Sequence, residues 1–245
     1  MKHTLRHLSS ALLLSSGVLF SQNLWACERP VVYGYDYIYC LSEGLARVQR
    51  NGKVGFIDNT GKVVIPFKYD SAWPFSDGLA VVEQNGKYGF IDKTGKVVIP
   101  LNYDDAWYFS EGLAKVKQND KYGFINQTGK VVIPLKYNSA ESFSDGLAKV
   151  QHNDKWGFID KTGKMVIPLK YDDTWYFSEG LAKVQRNDKY GFIDKAGQVV
   201  IPLKYDKADS FYNGVAGVLD HSTGEAFYIN RQGERLYWLG EPRFD

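Results

Sequence analysis

Few side chains in this sequence are of the kinds that do chemistry, and most of those recur at a fixed interval. Beyond residue 26 the only histidines are His152 and His221. His152 stands where the corresponding segments carry Arg50, Gln84, Gln118 and Arg186, a position at the solvent edge of a predicted hairpin. The carboxylates form two series: Asp70, Asp104, Asp172 and Asp206 follow a tyrosine, while Asp58, Asp92, Asp160 and Asp194 close a Phe-Ile-Asp run. Catalysis needs a unique constellation of acid, base and nucleophile, whereas these groups are made five at a time. Asp side chains at turns accept backbone N–H bonds, which accounts for both series. The alternative, repeated calcium sites, lacks the dense oxygen ligands of a calcium loop in any one segment. With two histidines and two cysteines there is no metal cluster to build. The reading is therefore of no catalytic residue, no metal, no cofactor and no enzyme.

A second set of candidates binds rather than reacts. The segments that follow Tyr-Asp or Tyr-Asn read SAWP, DAWY, SAES, DTWY and KADS, so Trp73, Trp107 and Trp175 share a slot with Glu141 and Asp209. A core position seldom accepts both Trp and Glu, and the slot is expected to be partly exposed. Trp73, Trp107 and Trp175, with Tyr108 and Tyr176 beside them, are then candidate interface anchors. Packing between adjacent segments would serve the tryptophans equally well. Regularly spaced Trp and Tyr also suit stacking on sugars, so a glycan is the second candidate ligand.

The elements that must position these residues follow a 34-residue period, with copies starting at Glu43, Asp77, Glu111, Asp145 and Glu179 and a degenerate sixth from Asn213. Paired helices of similar period are excluded by the in-register Pro66, Pro100, Pro134, Pro168 and Pro202 and by several in-register glycines. In the copy from Glu179, Leu181–Gln185 alternates, with Ala182 and Val184 on a buried face and Lys183 opposite. Asn-Gly or Asn-Asp pairs then predict a type I′ hairpin into KYGFID. A glycine inside that strand, at Gly55, Gly89, Gly123, Gly157 and Gly191, suggests a ring from the adjacent unit packed over it. After a Thr-Gly or Ala-Gly loop comes VVIP or MVIP, apolar on both faces and expected to be the most buried strand, its length limited by the proline. The rest of the unit, as in LKYDDTWYFSEG, is expected to cross to the next meander.

The repeated GKYGFIDKTGKVVIPLKYDDAWYFSEGLA pattern, with Lys155-Trp156-Gly157 and its companions Tyr88-Gly89, Tyr122-Gly123 and Tyr190-Gly191, resembles the bacterial WG-repeat family over about residues 35–238. Most copies have Tyr, or Val54, in place of the Trp. The resemblance implies an all-β scaffold commonly associated with protein interactions, and permits an effector-associated or immunity-type binder. The fold expected is all-β, tandem three-stranded antiparallel meanders in an open solenoid-like array, with a closed six-bladed propeller-like arrangement as the alternative. The segment Tyr35 to Ser42 repeats the Tyr-Asp part of the unit, and no such part ends the chain. In a closed ring that half-unit would complete the last blade.

The chain divides into a leader (1–26), an N-terminal cap or half-repeat (27–42), five complete repeats (43–212), and a degenerate sixth repeat with its C-terminal cap (213–245). The leader has Lys2 and Arg6 ahead of an apolar run, Ala11 to Phe20, too short to span a bilayer, as in a secretory signal peptide. Removing it takes two cations from 30 basic residues and none from 28 acidic ones, leaving 28 of each. That balance gives no support for nucleic-acid or anionic-membrane binding. Cys27 and Cys40 then lie in an oxidising compartment, where a disulfide between them leaves no odd thiol. The competing reading is a lipobox-like Leu24-Trp25-Ala26-Cys27, with Cys27 lipidated and Cys40 free. A periplasmic or secreted protein that binds another protein is expected, without a transmembrane segment.

Overall fold

The computed structural model describes residues 27–237, 240–242 and 244, so the predicted leader lies outside the described residues. The hairpin chemistry sets the local structure. Strand β2 (Leu45–Arg50) turns into β3 (Lys53–Asp58) with every residue paired, from Leu45 opposite Asp58 to Arg50 opposite Lys53. Both turn residues are left-handed, Asn51 at φ 51° and Gly52 at φ 73°, as a type I′ turn requires. The next turn is held by Asp58, whose Oδ1 accepts the Thr60 N–H at 2.9 Å and the Lys62 N–H at 3.0 Å. It leads into β4 (Val63–Tyr69).

The expected three-stranded meander has a fourth member. Strand β1 (Tyr37–Ser42) pairs antiparallel with β2, giving the order β1-β2-β3-β4. Five further four-stranded sheets follow, at 71–103, 105–137, 139–171, 173–205 and 207–236. The segment expected to serve as a crossing thus also supplies the first strand of the next sheet. The half-unit before Glu43 completes the first sheet, where the propeller alternative would have placed it in the last.

Two packing expectations are corrected. The strand glycine is not covered by a ring of the adjacent unit. A Cβ on Gly191 would lie 2.6 Å from the Ile201 carbonyl oxygen and 2.8 Å from the Leu203 nitrogen, both backbone atoms of the neighbouring strand in the same sheet. Tyr190 pairs with Tyr205 and Phe192 with Ile201, so three residues, Pro202 to Lys204, bulge against one glycine. The bulge also accommodates the proline, and the strand runs through it from Val199 to Tyr205. Nor is this strand the most buried. It is the outer edge of its sheet, with Val199 48% exposed and Val200 also on the surface; only Ile201 and Tyr205 are buried.

Consecutive sheets pack face to face. Leu45, Phe56, Ile65 and Tyr69 of the first sheet meet Ala72, Phe75, Val82 and Ile91 of the second, and the same cast recurs at four later seams. Each inner sheet therefore buries both faces, unlike the one-faced strand that alternation suggested. Among the described residues no strand joins the sheets into a closed barrel, so the array is unclosed and solenoid-like. The N-terminal end has its own cover. Gly95 of the second sheet lies against Ile65 of the first, and this contact repeats down the array; at Gly61 the place is taken by Val32. Val32 and Tyr35 thereby take the place of a preceding sheet, packing with Ile38 and Leu41 of β1 on Ala46, Val48 and Ile57. The Cys27–Cys40 disulfide ties this covering segment to β1.

Candidate interaction surface

The Trp slot lies on the first strand of its sheet at Trp107 and Trp175 and directly after a two-residue first strand at Trp73, Glu141 and Asp209, and its tryptophans are half-buried. Trp107 sits 5.9 Å, ring centre to ring centre, from Tyr122 on the third strand, and Trp175 and Trp73 pair likewise with Tyr190 and Tyr88. Between those strands a lysine reaches across. Lys115 Nζ lies 3.9 Å from the Trp107 ring centre and donates to the Ala140 carbonyl of the next sheet at 2.9 Å. Lys183 repeats this over Trp175, donating to Ala208, and Arg47 over Tyr39, donating to Ala72. The lysine that alternation places opposite the buried face is thus a stitch between sheets.

The fourth sheet explains why Glu141 can occupy a Trp slot. There the cation is Lys149, which donates to the Thr174 carbonyl at 2.9 Å and lies 4.1 Å over Trp156. Trp156 is the residue that stands where other units have Tyr or Val before the glycine. The aromatic lid of the lysine has moved from the first strand to the third, and the vacated slot takes a carboxylate. Glu141 faces back to Lys115, 3.7 Å away. Lys115 is only 6% exposed, and burial pushes its pKa down, with Glu141 opposing that shift. Burial lowers Lys183 in the same way, against Asp209 and Asp173.

Of the sequence candidates, Tyr108 and Tyr176 are the most open, at 52% and 55%. They belong to the third and fifth sheets, and Glu141 belongs to the fourth. Tyr176 has its pKa raised by burial first, then by hydrogen bonding and charge from Glu141 and by Tyr108. Residues of three sheets thus lie within electrostatic range of one another on the side of the array that carries the first strands. Trp107 and Trp175 flank this cluster, and Trp73 stands one sheet earlier.

The remaining candidates have local roles. Asp70 accepts the Asn85 N–H at 2.7 Å and pairs with Lys53; Asp104 pairs with Lys87 and Asp206 with Lys189, each at 2.6 Å. Their carboxyls are held below the usual range by those lysines. His152 ends its strand half-buried. His221 is exposed and donates its backbone N–H to Asp206. Among the described residues no three His, Cys, Asp or Glu converge as metal ligands.

One regularity escaped the 34-residue reading. First strands of six residues alternate with first strands of two. In the long-stranded sheets Ser42, Ser110 and Ser178 donate to the Phe75, Phe143 and Phe211 carbonyls at 2.7 Å. Glu43, Glu111 and Glu179 accept from the Gly78, Gly146 and Gly214 N–H groups. The signal was visible as Glu alternating with Asp or Asn at the start of each copy, a period of 68 residues.

The profile described as "WG containing repeat" matches residues 33–53, 55–88, 88–122, 122–156, 156–190 and 190–220. The chain belongs to the WG-repeat family. The internal boundaries of those matches fall at or beside the aromatic–Gly step of the third strand, so each family unit straddles two sheets of this WG-repeat protein. No curated protein matches it. Among solved structures it is similar to one titled a eukaryotic initiation factor, at 9% identity and TM-score 0.52, covering 86% of this chain and 68% of that one. It also resembles Kluyveromyces lactis Hsv2, at 9% identity and TM-score 0.44, covering 77% of this chain and 70% of that one. The first likeness concerns the fold alone. No described helix is long and apolar enough to cross a membrane, and the Cys27–Cys40 disulfide fits an oxidising, extracytoplasmic setting.

Proposed function

We propose that this WG-repeat protein is an exported, non-enzymatic scaffold that binds another protein through the first-strand surface centred on Tyr108, Glu141 and Tyr176. The observation that carries the reading is the exposure of two tyrosines, 52% and 55%, beside a carboxylate that displaced a tryptophan. Tyr supplies large contact area with a polar tip and dominates interface hot spots together with Trp and Arg. Trp107 and Trp175, whose faces are already engaged by Lys115 and Lys183, serve as the rigid backing of that surface. Export follows from the leader pattern, and the disulfide uses the Cys27 sulfur that lipidation would need.

Photo-crosslinking residues placed at 108 and 176 in cells test the reading, with Val199 on the outer strand as control. Tyr108 and Tyr176 positions are expected to capture one discrete protein, and Tyr108→Ala/Tyr176→Ala to lose it while staying folded. Position-independent labelling would refute the scaffold reading. Sedimentation with peptidoglycan that the same double substitution abolishes would assign the surface to glycans instead.

A further inference from the structure

Every seam in this array is built on one aromatic pair. Phe56–Phe75, Phe90–Phe109, Phe124–Phe143, Phe158–Phe177 and Phe192–Phe211 have ring centres 4.9, 5.0, 4.9, 5.1 and 4.8 Å apart. In each, the first ring comes from the third strand of one sheet and the second from the start of the next. The sixth sheet continues the series. Gly217 pairs with Tyr228 in the register in which Lys183 pairs with Phe192, so Tyr228 is the sixth ring. Among the described residues no seventh sheet brings it a partner.

The place is open. A cavity of about 480 Å³ lies on this end face, lined by Tyr212, Val215, Gly217 and Tyr228, with Gly240 and Glu241 at its side. Two substitutions in the repeat enlarge it: Val215 stands where the other sheets have leucine, and Gly217 where they have a cation or Val81. Pro242 is buried beside Gly217, 2.7 Å from where a Cβ would be. Tyr212 is 75% exposed at its rim.

We propose that this end face is a docking seat for an extended segment of another protein that carries a phenylalanine, laid on Tyr228 as the next sheet's first strand would lie. The five internal seams define the chemistry. The entering strand has a small buried residue three positions before the phenylalanine: Ala72, Ala106, Ala140, Thr174 and Ala208 precede Phe75, Phe109, Phe143, Phe177 and Phe211. A second copy of this chain does not supply that strand. Its first sheet offers Leu41 in the phenylalanine's place, and Val32 and Tyr35 already cover it. The seat is distinct from the Tyr108 surface, and its test does not depend on that reading.

The probe is a peptide with the sequence of residues 103–112, YDDAWYFSEG, titrated into the isotopically labelled intact protein with its disulfide formed. Amide shifts are expected to saturate and to centre on Tyr212, Val215, Gly217 and Tyr228. Replacing the peptide's phenylalanine by alanine is expected to weaken binding at least tenfold, and Val215→Glu in the protein to do the same with an unchanged unfolding midpoint. Absence of saturable shifts, shifts centred elsewhere, or equal binding of the alanine peptide would overturn the proposal. So would a concentration-dependent dimer abolished by Val215→Glu, which would give the seat to a second copy.

Discussion

Replacing the strand glycine by alanine separates lack of space from lack of conformational freedom. At Gly191 the new methyl would sit 2.6 Å from the Ile201 oxygen, 2.8 Å from the Leu203 nitrogen and 2.9 Å from its Cα, all of them backbone. Carbon and oxygen in ordinary contact are well over half an ångström further apart, and neither strand can yield alone. The outer strand must move, and with it Ile201, which lies in the seam with the sixth sheet. Overpacking of this kind costs about 1–3 kcal/mol, and the rigid neighbours place Gly191→Ala near the top of that range. About 0.5 kcal/mol returns through the stiffer unfolded chain. Gly217→Ala is the contrasting site, because its close contacts, Asp209 Oδ2 and the Pro242 ring, belong to residues outside any strand, so they can yield without moving a sheet. We expect a loss of about 2–3 kcal/mol for Gly191→Ala and under about 1 kcal/mol for Gly217→Ala, measured by urea unfolding followed by tryptophan fluorescence. Equal losses at the two sites would refute the claim that backbone crowding selects this glycine.

Lys183→Met keeps the stem over Trp175 but leaves the Ala208 carbonyl without its donor, and should cost about 1–3 kcal/mol in the same assay. Cys27→Ser/Cys40→Ser removes a bridge of sequence separation 13; it should lower stability by about 3 kcal/mol and speed amide exchange at Ala46, Val48 and Ile57 before the later sheets respond. Asp58, Asp70, Asp92, Asp104, Asp160, Asp172 and Asp206 all have folded pKa values below the model-peptide value, through Thr, Lys or backbone N–H partners. A depressed carboxyl stabilises the fold above its unfolded pKa of about 3.9 and loses that contribution as pH falls through the folded value. Thermal midpoints should therefore hold down to about pH 4 and drop below it, and sodium chloride should reduce the effect.

Hairpin and turn chemistry could be read from the sequence because it is local: Asn-Gly, Asn-Asp and Asp-x-Thr-Gly meet their partners within a few residues. What lay beyond the 34-residue window could not. The first strand of each sheet is only two residues long in alternate sheets and pairs with a strand that follows it, so it looked like a connection. Valines 63, 97, 131 and 199 suggested burial on both faces, yet the bulge opposite the glycine turns only the isoleucine and tyrosine of each outer strand inward. The aromatic slot was recognised as variable, but the exchange between Glu141 and Trp156 became intelligible only once Lys149 was seen to follow the ring. Tyr228 carries no local signal, since its place in the aromatic series emerges only from the strand register of the sixth sheet.

The alternation of long and short first strands bears on how such an array can change its length. Ser110 and Glu111 reach forward to Phe143 and Gly146, whereas the short-stranded sheets have no such pair. Excising a single 34-residue copy would set two sheets of like kind against each other and strand the serine and glutamate of one of them. Excising 68 residues would leave every remaining seam with its proper neighbour. A doublet of sheets is accordingly the unit by which the array can change length without leaving a seam unmatched, and natural length variants should differ by even numbers of sheets.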